Sequence, residues 1–354
     1  MPASRIPIER VLDLGAVVGS LYRGAGDPTM RLGRSRMARA SWMASGPSTI
    51  AVALDSASGA VEAEAWGPGA DEALDRLPAL LGLDDDDRGF EPSLHPAIAE
   101  LARRLPGGTR IGRTGAVFEA LLPAILEQRI TGTEAFRGYR RLIRALGVPA
   151  PGSLGLWMPP RAADVAALRS WTFPGLGIEP RRGTLLRRLA RDARGLEAVA
   201  APARDPGGGG AGSAALDARL RAYPGIGPWT SAEVRFRALG DPDAVSLADA
   251  HLPNLVAWVL AGEPRGTDER MLELLAPWAG HRARVVRLIE RSGQAPPRYG
   301  PRIAPRDLVD LAPRGGALTQ GADSASATRS RGSGSIVRPC RIESCPASRS
   351  HRLR

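Results

Sequence analysis

The stretch YPGIGPWTSAEVRFRAL, Tyr223 to Leu239, decides how the rest of the chain is read. Two glycines flank an isoleucine, and a proline and a tryptophan then lead into residues with helical apolar spacing. The preceding LDARLRAY has that spacing too, so residues 216–239 are predicted as a helix, a hairpin and a second helix. Gly225 and Gly227 permit backbone angles that a side chain forbids, and Pro228 suits the first turn of a helix. A turn with no side chains in the way lets its amides, and the helix N-terminus behind it, face a phosphate. The same geometry serves as an ordinary corner between helices, and it reads no bases. Alone it indicates a module that grips a DNA backbone.

Working outward, the charge fits such a partner without requiring one. The 354 residues carry a net charge of +11, and all 48 basic residues are arginine. Seven arginines and two acids follow Arg314, so the tail holds five of those charges and the body is mildly basic. With no lysine, the chain has no side-chain amine for a Schiff base. Its two cysteines, Cys340 and Cys345, are too few for a disulfide framework, a zinc cage or a four-cysteine iron–sulfur cluster. No apolar run approaches the ~18 residues of a membrane span, and MPASRIPIER lacks a signal core. A cytoplasmic protein with no metal and no cofactor is expected.

Residues 1–90 are expected to form a small α/β domain. After a polar lead-in with one apolar stretch, Val11 to Leu21, the runs MRLGRSRMARASWMA, STIAVALDS and GAVEAEAWG read as strands parted by Ser/Gly turns. GADEALDRLPALLGL reads as one amphipathic helix, and the four aspartates after it as a solvated loop or cap. From about His95 the pattern is helical throughout. Residues 91–314 make one helical region, with RDPGGGGAGS (Arg204 to Ser213) as a flexible linker inside it. Residues 315–354, rich in Gly, Ser, Ala and Arg, are expected to be a disordered basic tail.

A second signal lies downstream of the hairpin. DPDAVSLADAHLPNLVAWVLAG places Asp249 at the mouth of an apolar helix, twenty residues after Trp229. The sequence P-G-I-G-P-W-T, a Gly/Pro/Asp loop and a lone aspartate opening the next helix resemble the helix–hairpin–helix DNA glycosylases. Within them the chain is most similar to the bacterial 3-methyladenine DNA glycosylase II branch. The resemblance spans about Leu94 to Ser292, and more weakly residues 30–85, where that branch has an N-terminal α/β domain. It implies a mainly α, two-lobed helical fold acting as a monomer on double-stranded DNA with alkylated bases, in the cytoplasm at the nucleoid.

The resemblance also assigns roles. Asp249 corresponds to the catalytic aspartate, which stabilises the oxocarbenium character left when a base departs and orients the attacking water. As residue chemistry alone, Asp249 reads as a helix cap accepting from the amide of residue 251 or 252; the two roles are compatible. Trp229 and Trp278 match aromatic positions of the lesion pocket, and an indole face suits a methylated, cationic purine; core packing is the other reading of each. Gly225, Ile226, Gly227 and Thr230 match the DNA-backbone contacts. Gln128 and Arg129, in AILEQRITGTEA, fall where relatives insert a wedge into the duplex to replace the extruded base. An exposed arginine at a helix end is the other reading of Arg129. His251 is expected to pack or bond locally, and His281 has no ligand-spaced companions.

Two positions depart from the branch: Glu233 stands where a tyrosine is often found, and Arg129 where an apolar wedge is usual. A monofunctional glycosylase leaving an abasic site is the expected activity, since the lyase-competent relatives use a lysine after the hairpin. A non-catalytic hairpin DNA-binding protein is the alternative, as is a glycosylase for another lesion. A neutral base would ask for donors and acceptors at its edges, whereas two tryptophans suit a cation.

Overall fold

The computed structural model describes residues 2–55, 58–203 and 209–297, and all of these fall in one compact unit that ends before Pro313. The expected tail and both cysteines lie outside the described residues, as does the linker as far as residue 208.

The alternation of GAVEAEAWG builds the first layer. In β5 (Ala60–Trp66), Val61, Ala63 and Ala65 are buried while Glu62 and Glu64 face solvent, the period-two pattern of a strand with one covered face. It sits in an antiparallel sheet of order β1-β5-β4-β3-β2, with β1 Ala3–Pro7, β2 Met30–Leu32, β3 Arg36–Met43 and β4 Gly46–Asp55. The edge strand β1 was not anticipated in the lead-in, and MRLGRSRMARASWMA proves to be two strands joined by a turn at Gly33, whose amide donates to Arg36 O. One sheet face packs on α1 (Leu14–Val18), α2 (Ala70–Asp75) and α3 (Leu77–Leu80). The last two were expected as a single helix. Pro78, in the first turn of α3, lacks the N–H that would continue the ladder.

The aspartates Asp84 to Asp87 lie in a loop, with Asp84 and Asp86 exposed as expected and Asp85 and Asp87 partly covered. Each pairs with a different arginine: Asp84 with Arg113, Asp85 with Arg284, Asp86 with Arg88 and Asp87 with Arg10. Arg284 is fully buried, and its guanidinium reaches both Asp85 oxygens (2.5 and 2.7 Å), Thr109 O, Asp86 O and His281 Nδ1. A buried arginine with its donors so engaged fastens the last helix to the end of the sheet layer.

The helical part follows as α4 (Pro96–Arg104), α5 (Val117–Leu126), α6 (Gly132–Leu146), α7 (Ala162–Ala167), α8 (Thr172–Gly175), α9 (Pro180–Arg191), α10 (Ala193–Ala200), α11 (Gly209–Arg221), α12 (Pro228–Leu239), α13 (Leu252–Ala261), α14 (Asp268–Leu275) and α15 (Arg282–Arg291). α11 begins at Gly209, so helix replaces the second half of the expected linker. Two apolar clusters organise these helices. Residues of α5, α6 and α9 to α12 form one; residues of α4 and α13 to α15 form the other. α12 is buried along almost its whole length and lies against α5. The hairpin at its N-terminus therefore sits on a fixed core. Among the described residues no helix is long and apolar enough to cross a membrane.

Candidate DNA interface and active site

The hairpin is a tight turn made by its own sequence. Ile226 N donates to Tyr223 O at 2.9 Å, with Pro224 second in the turn and Gly225 third at φ 103°. Pro then Gly in those places is the type II signature. The φ of 103° is what favours glycine at 225, and a Cβ there would also crowd Leu185 Cδ2 at 3.1 Å. Gly227 differs. Its backbone is extended (φ −95°, ψ 179°), and a Cβ there would meet no protein atom within 4 Å. Nothing inside the fold needs it to be glycine. Pro228 opens α12, and the amides of that first turn have no intrahelical acceptor.

Of the four residues matched to DNA-backbone contacts, Ile226 and Thr230 have buried side chains. The Ile226 side chain is buried in the core cluster, and its amide is spent on the turn. Thr230 is 2% exposed, and its hydroxyl accepts from Gln128 Nε2 at 2.9 Å. Gly225 and Gly227 are left as the open part of the bend.

Gln128 spends its side-chain amide on the protein itself. Its Nε2 also donates to Gly225 O at 3.0 Å, which ties the corner between α5 and α6 to the hairpin. Arg129 beside it is exposed and has φ 54°, a conformation that costs a non-glycine residue about 1 kcal/mol or more. Thr131 then starts α6 with a capping box shared with Glu134. The corner thus presents Arg129 outward next to the bend.

Asp249 is the helix cap that its residue chemistry suggests, and it accepts from both candidate amides. Its Oδ1 accepts from the amides of His251 (2.7 Å) and Leu252 (2.9 Å), and its Oδ2 accepts from Trp229 Nε1 at 2.9 Å. The carboxylate is half-buried and fixed by three donors, and Oδ2 holds just one of them. The loop that carries it is pinned twice more. Ser246 Oγ donates to Glu233 Oε1 at 2.5 Å, and Ala248, at φ 62°, donates its amide to Asp268 Oδ2 at 2.7 Å. Among the described residues the two non-glycine residues with positive φ are Ala248 and Arg129, one beside the aspartate and one beside the hairpin. The His251 side chain is exposed rather than packed; its contribution is its amide.

Glu233 sits in a buried ionic network. It is 7% exposed and pairs with Arg237 (2.7 Å) and Arg287 (3.6 Å). Arg237 continues to Glu127 (3.1 Å), which meets Arg23 (3.3 Å). Burial pushes the Glu233 pKa up, but Arg237, Arg287, the Ser246 hydroxyl and Arg23 together hold it below the usual carboxylate range. On α15, Glu290 keeps 38% of its side chain exposed, yet desolvation raises its pKa; Arg287 opposes the rise, and like charges on Glu233 and Asp249 add to it.

Trp278 is not brought to the site's surface. It is 3% exposed in the core of the second helical cluster, and its indole donates to Glu91 O at 2.8 Å. A ring enclosed in that way has no face free for a base, so the core reading holds for it. Of the two tryptophans, Trp229 is the one in contact with Asp249.

A hairpin ahead of a buried helix, a capped aspartate at the next helix and a small antiparallel sheet in front define the class: the chain has the helix–hairpin–helix DNA glycosylase fold. Among solved structures it resembles a 3-methyladenine DNA glycosylase from Archaeoglobus fulgidus, with TM-score 0.67 at 18% identity over 81% of this chain and 97% of that one. It also resembles a Clostridium acetobutylicum 8-oxoguanine glycosylase/lyase bound to double-stranded DNA, with TM-score 0.60 at 12% identity over 80% of this chain and 92% of that one. At these identities the likeness is one of fold. In sequence, the chain is 31% identical over 195 residues to a probable bifunctional transcriptional activator/DNA repair enzyme AlkA of Mycobacterium tuberculosis. That match takes in 51% of this chain and 35% of the relative, so the chain spans about a third of the curated protein's length. No protein-family model matches.

Proposed function

We propose that the chain is a monofunctional DNA glycosylase that extrudes an alkylated purine from duplex DNA and hydrolyses its N-glycosidic bond. One observation carries the reading: the Asp249 carboxylate, fixed by two amides and the Trp229 indole, stands next to a bare-backbone hairpin. A base inside the stack is out of reach, so it must be flipped before it is cut. Once flipped, a purine methylated on a ring nitrogen is a cation. It favours an aromatic face such as Trp229 by about 0.5–2 kcal/mol, and it leaves readily without a strong acid.

The chemistry needs one anion and one water. As the bond from C1′ to the base breaks, its electron pair goes with the base, which departs neutral. The sugar carries the positive charge, and a fixed carboxylate beside it lowers the barrier. The water oxygen bonds to C1′ and its proton passes to the carboxylate, leaving an abasic site. The absence of lysine disfavours the alternative course, in which an amine attacks C1′ and the strand is then nicked. The fold likeness to both alkylation-specific and oxidised-base enzymes leaves the lesion to be decided by Trp229 and the charges around Asp249.

In this reading residues 1–90 are a platform and 91–314 the catalytic region with the hairpin at 216–239. The basic residues of 315–354 act as an electrostatic tether, and the protein works as a monomer in the cytoplasm at the nucleoid. The test is base release: purified protein incubated with methylated duplex DNA should liberate 3-methyladenine or 7-methylguanine, with the strand left uncut until alkali is added. No release of either base contradicts the proposal.

A further inference from the structure

We infer that the exposed face of α9, through Arg181, Thr184 and Arg188, is a second DNA-phosphate contact that extends the grip of the hairpin along the strand. The inference rests on the glycosylase reading above and adds to it a surface that neither the hairpin nor Asp249 requires.

The argument begins with the helix PRRGTLLRRLAR. Leu185, Leu186, Leu189 and Ala190 are buried, while Arg181, Thr184, Arg188 and Arg191 are exposed. Positions 181, 184 and 188 share one face, and Arg181 and Arg188 lie about 10 Å apart along the axis at 1.5 Å per residue. The helix itself contains no acid. The acids at its two ends are committed elsewhere: Glu179 to Arg182 (3.0 Å), and Asp192 to Arg219 (2.6 Å) and the Tyr223 hydroxyl (2.5 Å). Arg181 and Arg188 have no carboxylate partner among the described residues; Arg188 stands over the Tyr223 ring at 5.8 Å.

Placement converts this charge into a site. Pro180, Arg181, Thr184, Leu185 and Arg188 line an open groove of about 330 Å³ whose other wall is Pro224, the second residue of the hairpin turn. Leu185, on the floor of that groove, is the residue against which Gly225 packs. Arg182 fixes the start of α9 by donating to Leu126 O at 3.3 Å, and two residues on Gln128 holds Gly225 O. The end of α5, the hairpin and α9 therefore converge. Arg129 stands near one flank of the bend, and Arg181 and Arg188 at the groove wall. Unneutralised arginines ranged beside a phosphate-binding turn suit a polyanionic backbone, and each phosphate so met releases a counterion.

The experiment measures affinity of the full chain for a duplex carrying a stable abasic analogue, by fluorescence anisotropy across a salt series. Arg181→Gln/Arg188→Gln should bind about tenfold or more weakly and lower the slope of log K against log salt by about 2. Base release at saturating enzyme should stay within about twofold of the parent. Arg36→Gln, an exposed arginine on the sheet, should change neither quantity. Unchanged affinity and slope in the double variant overturn the inference, as does an equal loss in Arg36→Gln. A parent protein that binds no duplex at all overturns the glycosylase reading first, so the two failures are distinguishable.

Discussion

The Trp229 indole Nε1 and the Asp249 Oδ2 meet at 2.9 Å across twenty residues of sequence. The first turn of α12 thereby fixes the carboxylate that caps α13, and the hairpin and the candidate catalytic group become one rigid piece. Trp229→Phe keeps an aromatic ring and deletes the donor. A hydrogen bond to a charged acceptor contributes about 1.5–3 kcal/mol, so single-turnover base release should fall about ten- to a hundredfold while DNA affinity stays within about threefold. Release at the parental rate would show that the indole N–H does not orient Asp249.

The two hairpin glycines should separate stability from binding. Gly225→Ala meets Leu185 and a φ of 103°, and should cost about 1–3 kcal/mol of unfolding free energy. Gly227→Ala meets neither obstacle. It should melt like the parent yet bind duplex DNA at least about tenfold more weakly, because its methyl group would stand where a phosphate approaches. Thermal melts and titrations of the same two samples decide this, and equal binding by Gly227→Ala and the parent would place the phosphate elsewhere.

Gln128→Ala removes both donations that tie the α5 corner to the bend. The loss should be about 1–2 kcal/mol in stability, with faster hydrogen exchange confined to residues near the hairpin. Exchange unchanged there would mean that the tie carries no mechanical load.

Glu233 predicts a pH dependence. Its folded pKa lies below the unfolded value of about 4.3, so its contribution to stability is complete above that pH and is lost as the pH falls through the folded value. Glu233→Gln leaves Arg237 and Arg287 short of a buried counter-charge and should cost about 3–5 kcal/mol at pH 7. Its loss of stability on acidification below about pH 4 should be shallower than the parent's, because the titrating group is gone. Denaturant melts from pH 7 to pH 3 measure both effects; parallel curves would deny Glu233 its role in the network.

What the sequence made legible was local. The turn residues 223–228 and the cap at Asp249 are set by neighbours within a few positions, and both are where the pattern put them. The two-lobed helical fold with a small sheet followed from apolar spacing and the resemblance together. The unread parts depend on partners far away in the chain. Nothing near Asp85 announces Arg284, 199 residues on, and nothing near Gln128 announces the carbonyl of Gly225. The edge strand β1 has the weak alternation of ASRIP and needs β5 to exist. For Trp278 the sequence left pocket and core both open, and burial in the cluster of α4 and α13 to α15 gives the core reading; for Glu233, the ionic network reaching to Arg23 depends on partners its neighbours do not announce.

The central claim is that the Asp249 carboxylate, held beside the hairpin, performs the hydrolysis. Asp249→Asn keeps the size and, through its carbonyl oxygen, both cap bonds, but it removes the charge and turns an amide donor toward the Trp229 indole N–H. Measured on methylated duplex DNA, the variant should bind with an affinity within about threefold of the parent and release base about a hundred- to a thousandfold more slowly, the scale of losing a main electrostatic stabiliser. Parental rates of base release by Asp249→Asn would contradict the account.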